Sequence, residues 1–258
     1  MGDIYARFPI FLLAGLRVTG LFIMSPVFGR RNIPAATRIG FALLLTYILI
    51  PLLPADIQFE LNNPYVYTLK CLQEILLGLA MGYLTTLFFS IALTAGEYID
   101  TQIGLGMANI LDPYSNSQVP LAGNFLNVMG LLLFLGVDGH HMLIRLLAST
   151  FIRIPPGRIT IQPALGLMAA EYFASAFEMA IRIALPVIAV SLMAETAFAI
   201  IMRMVPQLNF FAVGIPIKAM LGIVVLIVIL PAYRFFMENA FEHMRDAIER
   251  IFEGFAAG

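Results

Sequence analysis

Charged side chains lie inside stretches of this sequence that are otherwise apolar. Eight residues share this property: Arg17, Glu74, Glu171, Glu178, Arg182, Glu195, Arg203 and Lys218. Each would cost roughly 2.5–3.5 kcal/mol at the centre of a bilayer, so as a set they cannot all face lipid. Buried carboxylates could carry protons or ions along a pathway, or the charges could simply pair with neighbouring helices.

Spacing favours pairing for some of these charges. Glu178 and Arg182 are four residues apart and therefore share one face of a helix, which predicts a salt bridge. Glu195 has no basic residue within four positions on either side, so its partner must come from elsewhere in the fold or from another chain, and a functional role stays open. The residues that we expect to be buried charges or packing residues are Arg17, Glu74, Glu178, Arg182, Glu195 and Arg203.

Asp138, His140 and His141 could in principle bind a metal or exchange protons. Adjacent histidines are expected to point to different faces of a helix, and the remaining histidine, His243, is distant in sequence. Cys71 is the single cysteine, which excludes an internal disulfide. The sequence also lacks the GxSxG, HExxH and glycine-rich phosphate motifs. These patterns predict no metal site and no catalytic residues, so an enzyme is the least favoured class.

The composition predicts a membrane protein. Hydrophobic residues make up 60% of the 258 residues and the mean hydropathy is +0.91, well above the values of globular proteins. The net charge of −1 gives no basic surplus that would attract nucleic acid. The N-terminus has no basic leader and no small-residue cleavage site before its first apolar stretch, so this stretch is expected to be retained as a helix.

The chain contains six apolar regions that are long enough, or nearly long enough, to span a bilayer. They predict an all-α, polytopic membrane fold built from helical hairpins. The third region contains Gly78 and Gly82 at GxxxG spacing, a hint of close helix contact. A terminal amphipathic helix is expected over 233–255, and a loop over 206–216 precedes the last span. The six regions are 8–28, 39–54, 71–95, 121–137, 163–204 and 217–232.

The polar interval 96–120 interrupts this pattern and reads GEYIDTQIGLGMANILDPYSNSQVP. Pro113, Asn116 and Pro120 disfavour a helix, while the polar side chains between the prolines suit the lining of a pore. The alternative is an ordinary surface loop between two spans.

The distribution of basic residues does not give a consistent orientation. Arg30, Arg31 and Arg38 would place the first loop in the cytoplasm. Strict alternation then also places the interval 96–120 there, although it contains acidic residues and no basic ones. Either one region does not span, or the helices are not inserted in the ordinary way.

Three stretches resemble the FliR family of flagellar and virulence-type secretion machines. They are the interval 96–120, the following NFLNVMGLLLFLGVDGHHMLI (124–144), and PQLNFFAVGIPIK (206–218). Together with the helix order and the chain length, the resemblance extends over most of the sequence.

The resemblance implies a non-enzymatic subunit of a type III export gate in the bacterial inner membrane, at the flagellar basal body. Such subunits assemble with FliP-like and FliQ-like subunits into a helical channel for unfolded substrates, together with FlhB-like and FlhA-like export components. Residues 1–155 would correspond to a FliP-like part, and 156–258 to a FliQ-like hairpin with a terminal amphipathic helix. No cofactor is implied, and the residues do not distinguish a flagellar machine from an injectisome.

The resemblance also implies two functional segments. The first is a plug loop of the closed gate, formed by Ile110, Leu111, Asp112, Pro113, Tyr114, Ser115, Asn116, Ser117, Gln118, Val119 and Pro120. The second is a hairpin loop on the cytosolic side that contains Pro206, Asn209, Phe210, Gly214, Pro216 and Lys218. Two other hypotheses stay open: an ion-coupled secondary transporter that uses Glu74 and Glu195, and a purely structural scaffold.

Overall fold

The computed structural model describes residues 2–29, 33–53, 64–104, 120–205 and 210–256. Regular structure within these ranges is entirely helical, which confirms the predicted all-α class. A short 3₁₀ turn, Ile50–Leu52, follows the second helix. The α-helices are α1 (Gly2–Met24), α2 (Ala35–Leu49), α3 (Pro64–Ile103), α4 (Leu121–Gly136), α5 (Gly139–Arg153), α6 (Ala164–Met204) and α7 (Phe210–Ala256).

Four helical segments in the described part of the chain are long and apolar enough to cross a membrane. The number rises to five if α4 and α5 count as one broken span, while the apolar part of α1 is shorter, at Phe8–Met24. The protein is therefore an all-α polytopic membrane protein. The four segments are Ala35–Leu52, Pro64–Ile103, Ala164–Met204 and Val213–Phe255.

Several helices are longer than the sequence pattern predicted. The 40 residues of α3 include the start of the polar interval, and α7 joins the predicted last span and the terminal helix into 47 continuous residues. The expected loop 206–216 is wrong from Phe210 onward, where α7 has already begun. Pro216 and Pro231 lie inside α7. Each proline removes one backbone hydrogen bond, but a long helix with a packed face tolerates that loss.

The chain divides into two compact units, which are described separately. Unit 1 comprises Met1–Phe88, Asp138–Phe173 and Phe241–Gly258, and unit 2 comprises Phe89–Val137 and Ala174–Ala240. The predicted division at 155/156 concerns the correspondence with FliP-like and FliQ-like subunits, which is a different property from compactness. It stays a prediction.

The core of unit 1 includes the end of α7. The apolar stripe predicted for this segment is buried, and the neighbouring loop donates backbone hydrogen bonds to its last turn, from Thr160 N to Phe255 O and from Gln162 N to Gly254 O, both 3.2 Å. The amphipathic segment thus finds its partner within its own chain. The buried stripe residues are Phe241, Met244, Ile248, Ile251 and Phe255.

Small residues allow α1 and α3 to approach closely in unit 1. A Cβ atom on Gly78 would collide with the carbonyl oxygen of Arg17, and a Cβ on Gly82 would lie 2.7 Å from the Cβ of Met24. A Cβ on Gly20 would lie 2.7 Å from the carbonyl oxygen of Ile75. The close helix contact suggested by the GxxxG spacing is therefore present, and it holds the two backbones together beside Arg17.

Unit 2 is built around aromatic side chains. The rings of Phe89 and Phe134 meet edge to face with centroids 5.0 Å apart. Tyr233 is buried, and its hydroxyl donates a 2.6 Å hydrogen bond to the carbonyl oxygen of Leu126. Gly130 leaves room for that ring, since a Cβ there would lie 3.0 Å from the tyrosine oxygen. These contacts fix α4 against α7.

Candidate functional site

A fully buried ion pair lies in the described interior of unit 1. Arg17 of α1 and Glu74 of α3 are both 0% exposed, and the Arg17 Nε donates to Glu74 Oε2 at 2.7 Å. The guanidinium also donates to Thr150 Oγ1 and to the carbonyl oxygen of Ile154, both at 3.0 Å. The second carboxylate oxygen, Oε1, accepts a 2.7 Å hydrogen bond from Gly157 N. One network thus connects α1, α3, α5 and the loop that follows α5.

This geometry favours a structural role for Glu74 over a role in transport. Both of its oxygens accept from donors held by packed backbone or side chains, and the charge of Arg17 neutralises it. The Arg17 guanidinium lies over the Phe151 ring, 4.7 Å from the centroid, which adds a cation–π contact. An ion pathway would need a carboxylate that can change partners. Both carboxylate oxygens of Glu74 are instead engaged in one buried network.

Glu178 and Arg182 on α6 are paired but not buried. Arg182 Nη2 donates to Glu178 Oε1 at 2.6 Å, which confirms the pair, yet the two side chains are 65% and 63% exposed. Arg203 is exposed as well. Glu178, Arg182 and Arg203 are therefore not buried by the described residues of this chain, and their burial against a neighbouring subunit stays a prediction.

Glu195 finds its partner across a helical hairpin. The ammonium of Lys218 in α7 donates to Glu195 Oε1 in α6, so the expected distant partner lies within the chain. The lysine is buried, while the Glu195 side chain remains 42% exposed. Spacing could not reveal this pair because the two residues lie on different helices, 23 positions apart.

Asp100 joins the two helices that flank the polar interval. It is buried on α3, and its carboxylate accepts from Ala122 N at 3.0 Å and from Gly123 N at 3.3 Å, in the first turn of α4. The residue before α4 is Pro120, whose side chain offers no acceptor for these N–H groups. Asp100 therefore caps α4 from another helix, and its charge suits the positive end of the helix dipole.

Residues of α6 and α7 also contact the end of α3 in unit 2. Ser191 Oγ of α6 donates to the carbonyl oxygen of Gln102 at 2.9 Å, and the Ile103 side chain occupies the space that a Cβ on Gly222 of α7 would need. Gly104 then ends the helix with a left-handed φ of +85°, as glycine commonly does. The one sign of this arrangement in the sequence is that α4 begins with Pro-Leu-Ala-Gly and so needs a cap from outside.

The predicted segments are only partly described. Ile110–Val119 of the plug lie outside the described residues, whereas Pro120 immediately precedes α4. Pro206 and Asn209 of the hairpin loop also lie outside. Phe210, Gly214, Pro216 and Lys218 belong to α7 rather than to a loop.

Asp138, His140 and His141 come together, contrary to the expectation that adjacent histidines diverge. The imidazole centroids are 4.1 Å apart, and His141 Nδ1 lies 3.1 Å from Asp138 Oδ1. Asp138 adopts a left-handed φ of 57° immediately before α5. One ligand atom from each of the three residues lies within 4.8 Å of the others, which is close enough for a metal ion, although the positive partial charge of the helix N-terminus disfavours a cation there.

The fold and these contacts define an all-helical membrane protein with internally paired charges and a capped polar interval. The family of bacterial export proteins, family 1, matches residues 8–244, and the chain belongs to this family. It is 34% identical over 216 residues to the flagellar biosynthetic protein FliR of Bacillus subtilis (strain 168), which covers 82% of each chain.

Two further relatives carry the same name. The FliR of Pectobacterium carotovorum is 33% identical over 236 residues, covering 92% of this chain and 90% of the relative. The FliR of Escherichia coli (strain K12) is 32% identical over 200 residues, covering 76% and 74%. The resemblance read from three sequence stretches is thereby confirmed.

Replacing Glu74 by Gln should destabilise the protein strongly. The change leaves the buried Arg17 charge without compensation, which typically costs about 3–5 kcal/mol. Unfolding of the purified chain in detergent would measure the loss. The matched control is Glu178→Gln, which removes an exposed partner and should cost about 0–1 kcal/mol. Equal losses in the two variants would contradict the central role of the buried pair.

Replacing Asp100 by Ala should loosen the start of α4. Loss of a helix cap costs about 0.5–2 kcal/mol, and here it leaves the N–H groups of Ala122 and Gly123 without their acceptor. Hydrogen exchange of these two amides should accelerate. Thr101→Ala is the control, because its exposed hydroxyl bonds only to its own helix at Glu97 O. Unchanged exchange in Asp100→Ala would refute the cap.

Proposed function

We propose that this chain is a non-enzymatic subunit of the flagellar type III protein export gate in the bacterial inner membrane. The observation that carries the proposal is its membership of an export-protein family together with long apolar helices that its own fold leaves uncovered. Only 11% of the most apolar window of α6 and 17% of that of α7 are buried. Helices of this kind need lipid or further subunits around them.

The exposed surface of α6 favours protein partners over lipid alone. Phe173, Leu185 and Met193 are 59%, 55% and 71% exposed, so the helix presents a large apolar surface. The same helix exposes the charged Glu178 and Arg182 midway along its length. Charges at this depth are costly in lipid but acceptable in a subunit interface. FliP-like and FliQ-like subunits are the proposed neighbours, with FlhB-like and FlhA-like components of the same apparatus.

The segment 110–120 is the proposed plug for unfolded substrates. Irregular backbone is tolerated at membrane depth only when it is buried in protein or lines a watery cavity. The described residues on either side support the proposal, since Asp100 and the first turn of α4 hold the two ends of the polar interval together. A segment anchored at both ends can occupy a channel without being carried along by a substrate.

The chain from 156 onward is the proposed FliQ-like hairpin, and 1–155 the FliP-like part. The ion pair between Glu195 and Lys218 supports a hairpin of α6 and α7, because it links these two successive helices. The hairpin loop predicted from Pro206 and the start of α7 would then face the cytosolic entrance, where an FlhB-like component could contact them. The competing transporter hypothesis is weakened by the buried network that engages both carboxylate oxygens of Glu74.

Deleting residues 111–118 should make membranes that contain the assembled gate leak ions. The deletion removes the proposed obstruction while leaving both described anchors in place. Conductance of cells or of planar bilayers containing the complex would report the leak. The control replaces the same residues by an equally long Gly-Ser segment that restores the length but not the plug side chains. Unchanged conductance in a deletion variant that still assembles with its partners would refute the plug.

A further inference from the structure

A cavity of about 250 Å³ lies between α1 and α2 in unit 1. One face of each helix forms it: Phe22 and Ile23 stand one turn from Thr19 on α1, and the α2 residues recur at helical spacing. Two alanines on α2 leave the space open, and a single charged side chain stands between them. The α2 residues that line the cavity are Ala35, Arg38, Ile39 and Ala42.

Arg38 has hydrogen-bonding capacity that the described part of the chain leaves unused. Its Nε is buried and has no hydrogen-bond partner among the described residues. Its Nη1 donates one long bond, 3.4 Å, to the carbonyl oxygen of Gly29. A buried donor without a partner is costly, so the site is suited to an acceptor from outside. The planar guanidinium fits the oxygens of a phosphate or carboxylate group.

The rest of the cavity requires the ligand to be amphiphilic. Apart from Arg38 and the Thr19 hydroxyl, which already donates to Gly15 O, the walls are apolar. Ile23 and Ile39 are 62% and 55% exposed beside the cavity, so its rim is apolar too. A free anion would bond to Arg38 but leave the cavity empty, whereas an acyl chain attached to the anion would fill it.

Arg38 lies at the end of a candidate span, where a lipid headgroup is expected if α2 crosses a bilayer. It lies in the first turn of α2, at the end of the segment Ala35–Leu52, of which only 22% is buried. Arginines at the ends of spans reach the headgroup region and attract anionic lipids. We propose that this cavity binds one anionic phospholipid, with its phosphate accepting from Arg38 and part of one acyl chain between α1 and α2. The proposal does not depend on the export function.

Native mass spectrometry of the purified full-length chain in detergent tests the proposal. Phosphatidylglycerol should bind about tenfold more tightly than phosphatidylcholine, because both lipids carry a phosphate but the choline ammonium of phosphatidylcholine opposes the charge of Arg38. Arg38→Gln should abolish this preference. Arg203→Gln is the matched control, since it removes an exposed arginine on α6 and should leave the preference unchanged.

Ala35→Leu tests the acyl-chain half of the site independently, and it remains informative if Arg38→Gln does not fold. Ala35 is exposed, so the longer side chain should fill the cavity without disturbing the core, and it should weaken phosphatidylglycerol binding several-fold. Thermal unfolding with sodium phosphate separates a lipid site from a free-anion site. The proposal is overturned by equal binding of both lipids, by equal effects of the two arginine variants, by normal binding in Ala35→Leu, or by equal stabilisation with phosphate alone.

Discussion

The buried contact between Arg17 and Glu74 is the interaction on which unit 1 depends. A charge with no access to solvent is stable only when its partner and its remaining hydrogen bonds are all in place. The glycines at positions 20 and 78 bring the backbones of α1 and α3 close enough for this. Thr150, and the backbone groups of residues 154 and 157, complete the network, so α1, α3 and α5 are held in a single arrangement.

In unit 2, buried backbone N–H groups likewise need hydrogen-bond partners. The first N–H groups of α4 would be unsatisfied behind Pro120, and Asp100 of α3 supplies the missing acceptor. The two helices approach closely because Gly96 and Gly123 bring their backbones into contact. The polar groups of these two networks are thus satisfied by the chain itself. The large apolar surfaces of α6 and α7 are not covered by the described residues, which is the physical reason for proposing an assembly.

Sequence patterns predicted the features that depend on local spacing. The helical class, the stripe at 241–255 and the pair of Glu178 and Arg182 follow from helical periodicity, and all are present. Contacts between distant helices could not be predicted, because spacing carries no information on which helices are neighbours. Arg17 and Glu74 are 57 positions apart, and both were expected only to be buried. The predicted loop 206–216 was wrong from Phe210 onward for another reason. Proline favours the end of a helix locally, but packing along a long helix can keep it intact.

The most direct test is whether other subunits cover the exposed surfaces of α6 and α7. The full-length chain, purified under mild detergent conditions from its own membrane, would be weighed as an intact complex by native mass spectrometry. The account predicts a hetero-oligomer in which this chain is associated with several copies of FliP-like and FliQ-like subunits. Recovery of the chain as a monomer, with solute transport by that monomer in liposomes, would contradict it.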